Sequence, residues 1–495
     1  EALPDPSEGQ VMARYVADIE TDGLIPEMTV IHSLCFKDVD TGEIHSHADQ
    51  PGYPSIEAGL RIIMEADLLV FHNGLSFDIP AIQKLYPWFK PKGTVRDTLI
   101  MAKMVWPVDR LRELDFPRWR SGTLPGQLIG AHRLEAWGYR LGRQKGEYSK
   151  DVKDLSKEYA EHGDINLLPE WARVLVTVDD KGRPALDPWL AWNQPMQDYC
   201  VVDIRVGSEL LYLIQGHLDG TGKAANGVGW SERSVELEHK AWLHIRKQEQ
   251  RGYGFNKEEA IKLAAELKSR QSALEDALVE VFGSWWKPLD DPKTGKTPAR
   301  AYSEKRNEFP DITVERVSEK TGKPLKPYHG SPLCHYSPDA PFVGIERVTF
   351  NPKSRQHLGE GLQAKFNWVP TEWVGKNNDQ AKVDETTLKT IPASVLPDDI
   401  RDTILEFIVV SKTLGQLADG KKSWIDLCQE DGRIHGRMDT LGTVSHRGAH
   451  MDPNLGQVVS VKKEKGPDGN EHVIFGWKGG FGAECRQLFQ PGGPF

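Results

Sequence analysis

Hydrophobic and polar positions change rhythm several times along the chain. Residues 12–48 alternate with the period of strands, from Met12 to Ala17, then Thr29 to Phe36, then a hairpin through Asp40-Thr41-Gly42. Ile56 to Ala66 has the recurrence of a helix, Leu68 to Phe71 is a short apolar run suited to a buried strand, and Asp78 to Leu85 is helical again. Arg96 to Val105, Ala131 to Leu141 and Pro195 to Leu218 also read as helices. Strands first, then strands mixed with helices, predict an α/β layered fold up to residue 218.

Gly220 to Gly227 reads as a linker. Beyond it, Glu232 to Gln250 is a charged helix stopped by Arg251-Gly252. Asn256 with Glu259 three residues later forms a capping box that opens the next helix. That helix carries Ala260, Leu263, Ala264, Leu267, Leu274, Leu278 and Phe282 on one face, and the two helices predict an antiparallel arm. Residues 284–350 are frequent in Pro, Gly and Lys and keep no period, which marks a functional excursion rather than a plain connection. Helical patterning resumes at Ser354 to Phe366 and Asp398 to Leu417. Gly432 to Phe495 reads as short strands and loops.

Composition narrows this picture. At about 150 residues per domain, 495 residues predict about three domains. With 39% hydrophobic and 27% charged residues, global disorder is excluded. Apolar runs such as Leu68–Phe71 and Phe407–Val410 are far shorter than the roughly 20 residues of a membrane span, so no membrane partner is expected. No charged-then-apolar leader opens the chain at Glu1, so secretion is not expected either. A net charge of −10 would repel a polyanion, so any nucleic-acid contact must use local basic patches. Five scattered cysteines without metal-ligand spacing predict free thiols in a reducing cytoplasm.

The candidate chemistry is a set of carboxylates. Alternation along the first strand puts Asp18 and Glu20 on one face. Asp78 follows the second strand, in Asn73-Gly74-Leu75-Ser76-Phe77-Asp78, and Tyr199 and Asp203 are stacked four apart on a helix. Converging carboxylates repel and raise one another's pKa. Two divalent ions about 3.5–4 Å apart would resolve that repulsion and serve phosphoryl transfer. Singly each signal is weak; the ordered combination is what carries weight.

Asp18-Ile19-Glu20-Thr21-Asp22-Gly23-Leu24, Phe71-His72-Asn73 through Asp78, and Tyr199 through Asp203 resemble the three exonuclease motifs of family A (DNA polymerase I family) proofreading domains, of the DEDDy type. Leu134 to Gly142 and Lys145-Gly146-Glu147-Tyr148 are similar, more narrowly, to the replicative DNA polymerases of T-seven-like bacteriophages. The resemblance implies a ribonuclease-H-like 3′→5′ exonuclease domain over 1–218. A linker over 219–230, a helical thumb over 231–283 and 351–430, an inserted processivity-factor loop over 284–350 and an incomplete polymerase palm over 431–495 would follow.

It also implies roles and partners. Asp18, Glu20 and Asp203 would hold one Mg²⁺ or Mn²⁺ and Asp78 a second, while Tyr199 orients the nucleophile. Thr21, Leu24 and Asn73 would contact the DNA 3′ end, and Ser354, Arg355, Lys412, Gln416, Arg447 and Asn454 the primer-template. From Trp285 to Lys326 there are ten Lys or Arg against seven Asp or Glu, a modest excess where a thioredoxin-like factor would sit. The family's first palm motif and its fingers helix have no counterpart by Phe495. The expectation is therefore the exonuclease and thumb subunit of a split polymerase, active in the cytoplasm of an infected bacterium. A second palm-and-fingers polypeptide would complete it, with a replisome helicase-primase as a further partner. Alternatives are a truncated portion of one long polymerase, a stand-alone exonuclease, or a DNA-binding processivity module.

Overall fold

The computed structural model describes residues 12–143, 148–219, 230–288, 345–375 and 380–491, with strand segments at 300–301, 314–317, 324–328 and 341–342. They group into two compact units. The first takes residues 1–253 and 433–457, the second residues 254–432 and 458–495. The expected linker Gly220 to Gly227, the Lys145-Gly146-Glu147 stretch and most of 284–350 lie outside the described residues. No helix among the described residues is long and apolar enough to cross a membrane.

The first unit is built on a five-stranded mixed sheet of order β3-β2-β1-β4-β5. Strands β1 (Arg14–Thr21), β2 (Ile31–Asp38) and β3 (Ile44–His47) form an antiparallel meander, and β4 (Leu68–Phe71) and β5 (Thr94–Asp97) continue it parallel to β1. Helix α1 (Ile56–Met64) crosses between β3 and β4, and α2 (Asp78–Leu85) between β4 and β5. Then come α3 (Thr98–Val105), α4 (Val108–Arg120), α5 (Leu134–Arg140), α6 (Tyr148–His162), α7 (Gln194–Leu218) and α8 (Glu232–Arg251). The mixed α/β expectation holds. The helix expected over Arg96 to Val105 is instead the end of β5 followed by α3, with Asp97 capping α3 through a bond from the Leu99 N–H.

Two apolar cores hold the layers. One gathers Leu34, Phe36, Ile56, Leu60, Ile63, Leu69, Phe71 and Ile82 between the sheet and α1 and α2. The other gathers Val16, Val70, Ile100, Met104, Trp137, Leu210 and Ile214 with Val235 and Trp242 of α8. Glycine at 207 lets α7 approach the sheet closely, since a Cβ there would lie 3.2 Å from a methyl of Val16.

Within the second unit, α9 (Lys257–Phe282) is capped by Asn256, whose side chain accepts from the Glu259 N–H. Its buried stripe Ala260, Ala264, Leu267, Leu274 and Leu278 follows the predicted period and packs on α12 (Asp398–Leu417). Helices α10 (Arg355–Phe366) and α11 (Glu385–Thr390) precede α12. Helices α8 and α9, expected to form one arm, fall in different compact units. The reason lies in α8, whose Val235, His239 and Trp242 are buried within the first unit. Strands Ser284–Pro288 and Ile345–Thr349 pair antiparallel and close the base of the 284–350 segment. Near the end of the described residues, Leu488 and Phe489 pack within the second unit. Leu488 is buried, and the Phe489 ring lies 5.3 Å from Phe255 and 5.2 Å from Trp424.

Candidate active site

The site forms where β1 ends, beside the start of α2 and the first half of α7. The register sets Asp18 opposite Cys35 and Glu20 opposite Ser33, and a shift between Glu20 and Thr21 ends the regular ladder there. Such an irregularity re-aims side chains at a strand end. Ligand atoms of Asp18, Glu20 and Cys200 all lie within 4.8 Å of one another. Asp18 and Asp203 line one cavity of about 550 Å³, together with His72, Asn73, Lys103, Gly130, His132 and Arg133. That volume lies within the range of ligand sites.

Helix α7 is positioned by side chains that sequence patterning hid. Asn193 caps it, its Oδ1 accepting from the Met196 N–H at 3.0 Å. Gln197, almost fully buried, accepts from Ser33 Oγ at 2.7 Å and donates to Ser46 Oγ at 2.8 Å, so it ties the helix to β2 and β3. That anchor lies between the helix cap and Asp203. The Tyr199 ring rests 5.9 Å from Tyr148, whose hydroxyl donates to Pro188 O at 2.6 Å. Burial, with the nearby charges of Glu20 and Asp187, pushes the Tyr148 hydroxyl up to about 12.

Asp78 is buried at the first turn of α2. Burial, then the charges of Asp97 and Asp203, push its carboxyl up to about 8, against opposing N–H bonds from its own backbone and from Ile19. Asp97 is a residue that sequence reasoning missed. Its carboxylate accepts from the N–H groups of Asn73 at 2.8 Å, Leu75 at 3.1 Å and Leu99 at 2.9 Å. It thereby clamps the turn between β4 and α2, in which Asn73 takes a left-handed φ of 71°. Burial raises Asp97 as well. His72, Lys103, His132 and Arg133 were also missed. His72 joins Thr98 Oγ1 at 2.9 Å and His132 O at 2.9 Å, and burial keeps His132 neutral, down to about 3. None of these has a periodic signal; each is found only when β4, β5 and the turn before α5 come together.

The remaining expected residues are placed as follows. Thr21 is buried and donates to Gly23 O at 2.8 Å, while Leu24 is 71% exposed. Glu20, Asp78 and Tyr199 do not line the cavity, although Glu20 lies beside Asp18 and the Asp203 charge acts on Asp78. Ser354 caps α10, its Oγ accepting from the His357 N–H at 3.2 Å, and the next residue, Arg355, is exposed. Lys412 is exposed and Gln416 half-buried on α12. These four belong to the second unit, whereas Arg447 and Asn454, both exposed, belong to the first.

No family model matches the chain. The DNA-directed DNA polymerase of Enterobacteria phage T3 is 32% identical over 501 aligned residues, covering 94% of this chain and 66% of that protein. The DNA-directed DNA polymerase of Escherichia phage T7 gives the same figures. Among solved structures, the POL domain of Pol1 from M. smegmatis in complex with a DNA primer-template and dNTP has a TM-score of 0.49 at 11% identity. That alignment covers 97% of this chain and 55% of the other. The chain thus spans just under two thirds of the length of the phage relatives. On an identity held across 94% of its residues, this chain belongs to the family of the T3 and T7 phage DNA-directed DNA polymerases.

Proposed function

We propose that the first unit is a metal-dependent 3′→5′ DNA exonuclease, the proofreading part of a phage DNA polymerase that acts in the host cytoplasm. One observation carries the reading: Asp18 and Glu20 bring their carboxylates within 4.8 Å, Asp203 shares a cavity with Asp18, and the Asp203 charge reaches Asp78, whose carboxyl burial and Asp97 also raise. Crowded carboxylates of this kind fit hard divalent cations, which take oxygen donors. Asp18, Glu20 and Asp203 would hold one Mg²⁺ or Mn²⁺ and Asp78 a second. When bound, such ions lower the pKa of water and stabilise the attacking and leaving oxygens.

The chain's own residues would do the rest. Tyr199, with its ring against Tyr148, orients the water that attacks the terminal phosphorus. The bond to the 3′ oxygen of the penultimate nucleotide breaks and a 5′-mononucleotide leaves. Lys103 and Arg133 on the cavity wall attract the phosphates, and Asn73 and Thr21 border the 3′ end. Exposed Leu24 presses on the terminal base. The same proposal gives Ser354, Arg355, Lys412, Gln416, Arg447 and Asn454 to primer-template DNA and the 284–350 segment to a processivity factor.

A 5′-labelled single-stranded oligonucleotide with Mg²⁺ tests the reading. Stepwise shortening from the 3′ end, lost in Asp203→Asn, is expected; internal cleavage or an intact oligonucleotide would refute it. DNA synthesis belongs to the whole polymerase, and primer extension with the palm-and-fingers portion added, as a longer chain or a second polypeptide, tests that part.

A further inference from the structure

Helix α4 is held by a narrow stripe. Leu111 and Asp115 are its buried residues, and the Asp115 carboxylate takes two bonds from Arg140, at 3.0 and 2.8 Å, and one from the Gly130 N–H at 2.9 Å. Much of the remaining circumference is open. Phe116 is 45% exposed and Trp119 47%, with ring centroids 6.4 Å apart edge to face. At about 100° per residue, Arg112, Phe116, Trp119 and Arg120 fall on one flank of the stripe. Paired exposed aromatics among arginines are not what a merely solvated helix face requires.

The flank begins at the cavity. Val108, the first residue of α4, lines it, as does Gly130. Arg112 lies against Gly130, where an added Cβ would come within 2.8 Å of its Cγ. Seven residues on, Trp119 lies over Gly126, where a Cβ would meet its Nε1 at 3.1 Å. From Arg112 to Trp119 the helix rises about 10 Å. Arg112 holds Asp109 at 3.0 Å in an exposed pair, an interaction of little strength that a phosphate can replace. Arg120 and Arg133, both exposed, make no ion pair among the described residues. In a chain of net charge −10, cations and stacking surfaces continuous with an anion-degrading cavity select one occupant.

We propose that this flank is a track for the single-stranded DNA that leads away from the 3′-terminal nucleotides in the cavity. Phe116 and Trp119 stack on its bases, and Arg112, Arg120 and Arg133 meet its phosphates. The proposal rests on the exonuclease reading. Stacking of bases on aromatic rings is sequence-tolerant and is lost on substitution by alanine.

The test measures binding of dT4 and dT12 to the full chain in EDTA, alongside hydrolysis of both in Mg²⁺. The wild type is expected to bind dT12 at least a hundredfold more tightly than dT4. In Phe116→Ala/Trp119→Ala the dT12 affinity falls about tenfold per ring, and dT4 binding, confined to the cavity, changes less than twofold. Arg120→Ala separately lowers the salt dependence of dT12 binding by about one phosphate contact. An unchanged dT12-to-dT4 ratio in the double variant, with hydrolysis intact in the wild type, overturns the track alone. So does a double variant whose one defect is the loss of a protein partner. Absent hydrolysis in a wild type whose ring-dependent preference for dT12 persists sinks the exonuclease reading and supports the track.

Discussion

The backbone N–H of Asp97 donates to Nε2 of His239 at 2.8 Å, and Nδ1–H of the same ring donates to Val235 O at 2.7 Å. One imidazole on α8 therefore fixes the residue that clamps the turn leading to Asp78. Burial keeps this ring neutral, down to about 4. Below the ordinary histidine pKa of about 6.5 the unfolded chain takes up a proton that the folded chain refuses, so stability falls as pH drops from about 6.5 to 4. His239→Leu removes that pH-dependent loss and leaves the Asp97 N–H without its acceptor, a cost of about 1–3 kcal/mol near neutral pH. Urea denaturation midpoints between pH 4 and 8 check both effects.

Asp78 has the opposite sign. Its carboxyl, raised to about 8, binds a proton in the folded chain that the unfolded chain has already released above about 4. Its share of stability is therefore present at low pH and lost as pH rises toward 8. Asp78→Asn should remove that decline in metal-free protein and cut nuclease activity by at least a hundredfold. Denaturation in EDTA, compared with wild type at pH 5 and pH 8, separates the two effects.

Arg140 and Asp115 form a buried pair, with side chains 4% and 0% exposed. Removing one partner strands the other charge, so Arg140→Met should destabilise the first unit by about 3–5 kcal/mol. Gly130 loses its firm anchor with it, and hydrolysis of single-stranded DNA should fall as well. Thermal denaturation and initial rates measured on one preparation test the link.

At Gly74 an added Cβ would lie 2.2 Å from the Cβ of Phe71, which is buried in the sheet core. Gly74→Ala must displace either the core or the turn that carries Asn73. We expect a loss of about 1–3 kcal/mol together with lower nuclease activity. Hydrogen exchange at Asn73 and Leu75, whose N–H groups bond Asp97, should quicken.

Much of the site was legible because its residues fall on regular elements. Alternation in β1 brought Asp18 and Glu20 together, and the four-residue spacing in α7 did so for Tyr199 and Asp203. Asp97 was not legible, since a lone Asp beside an apolar run reads as part of the helix it caps. His239, His132 and Gln197 act through contacts between elements distant in sequence, which no local period records. Helix α4 also stayed hidden: it is charged around most of its surface, and only Leu111 and Asp115 are buried.

We propose that Asp18 and Glu20 carry the chemistry. Digestion of single-stranded DNA by Asp18→Ala/Glu20→Ala, with Mg²⁺ and with chelator, tests it most directly. The double variant, like chelated wild type, is expected to lose at least a thousandfold in rate while its thermal midpoint stays close to or above that of the wild type. Full nuclease activity in the double variant would contradict it.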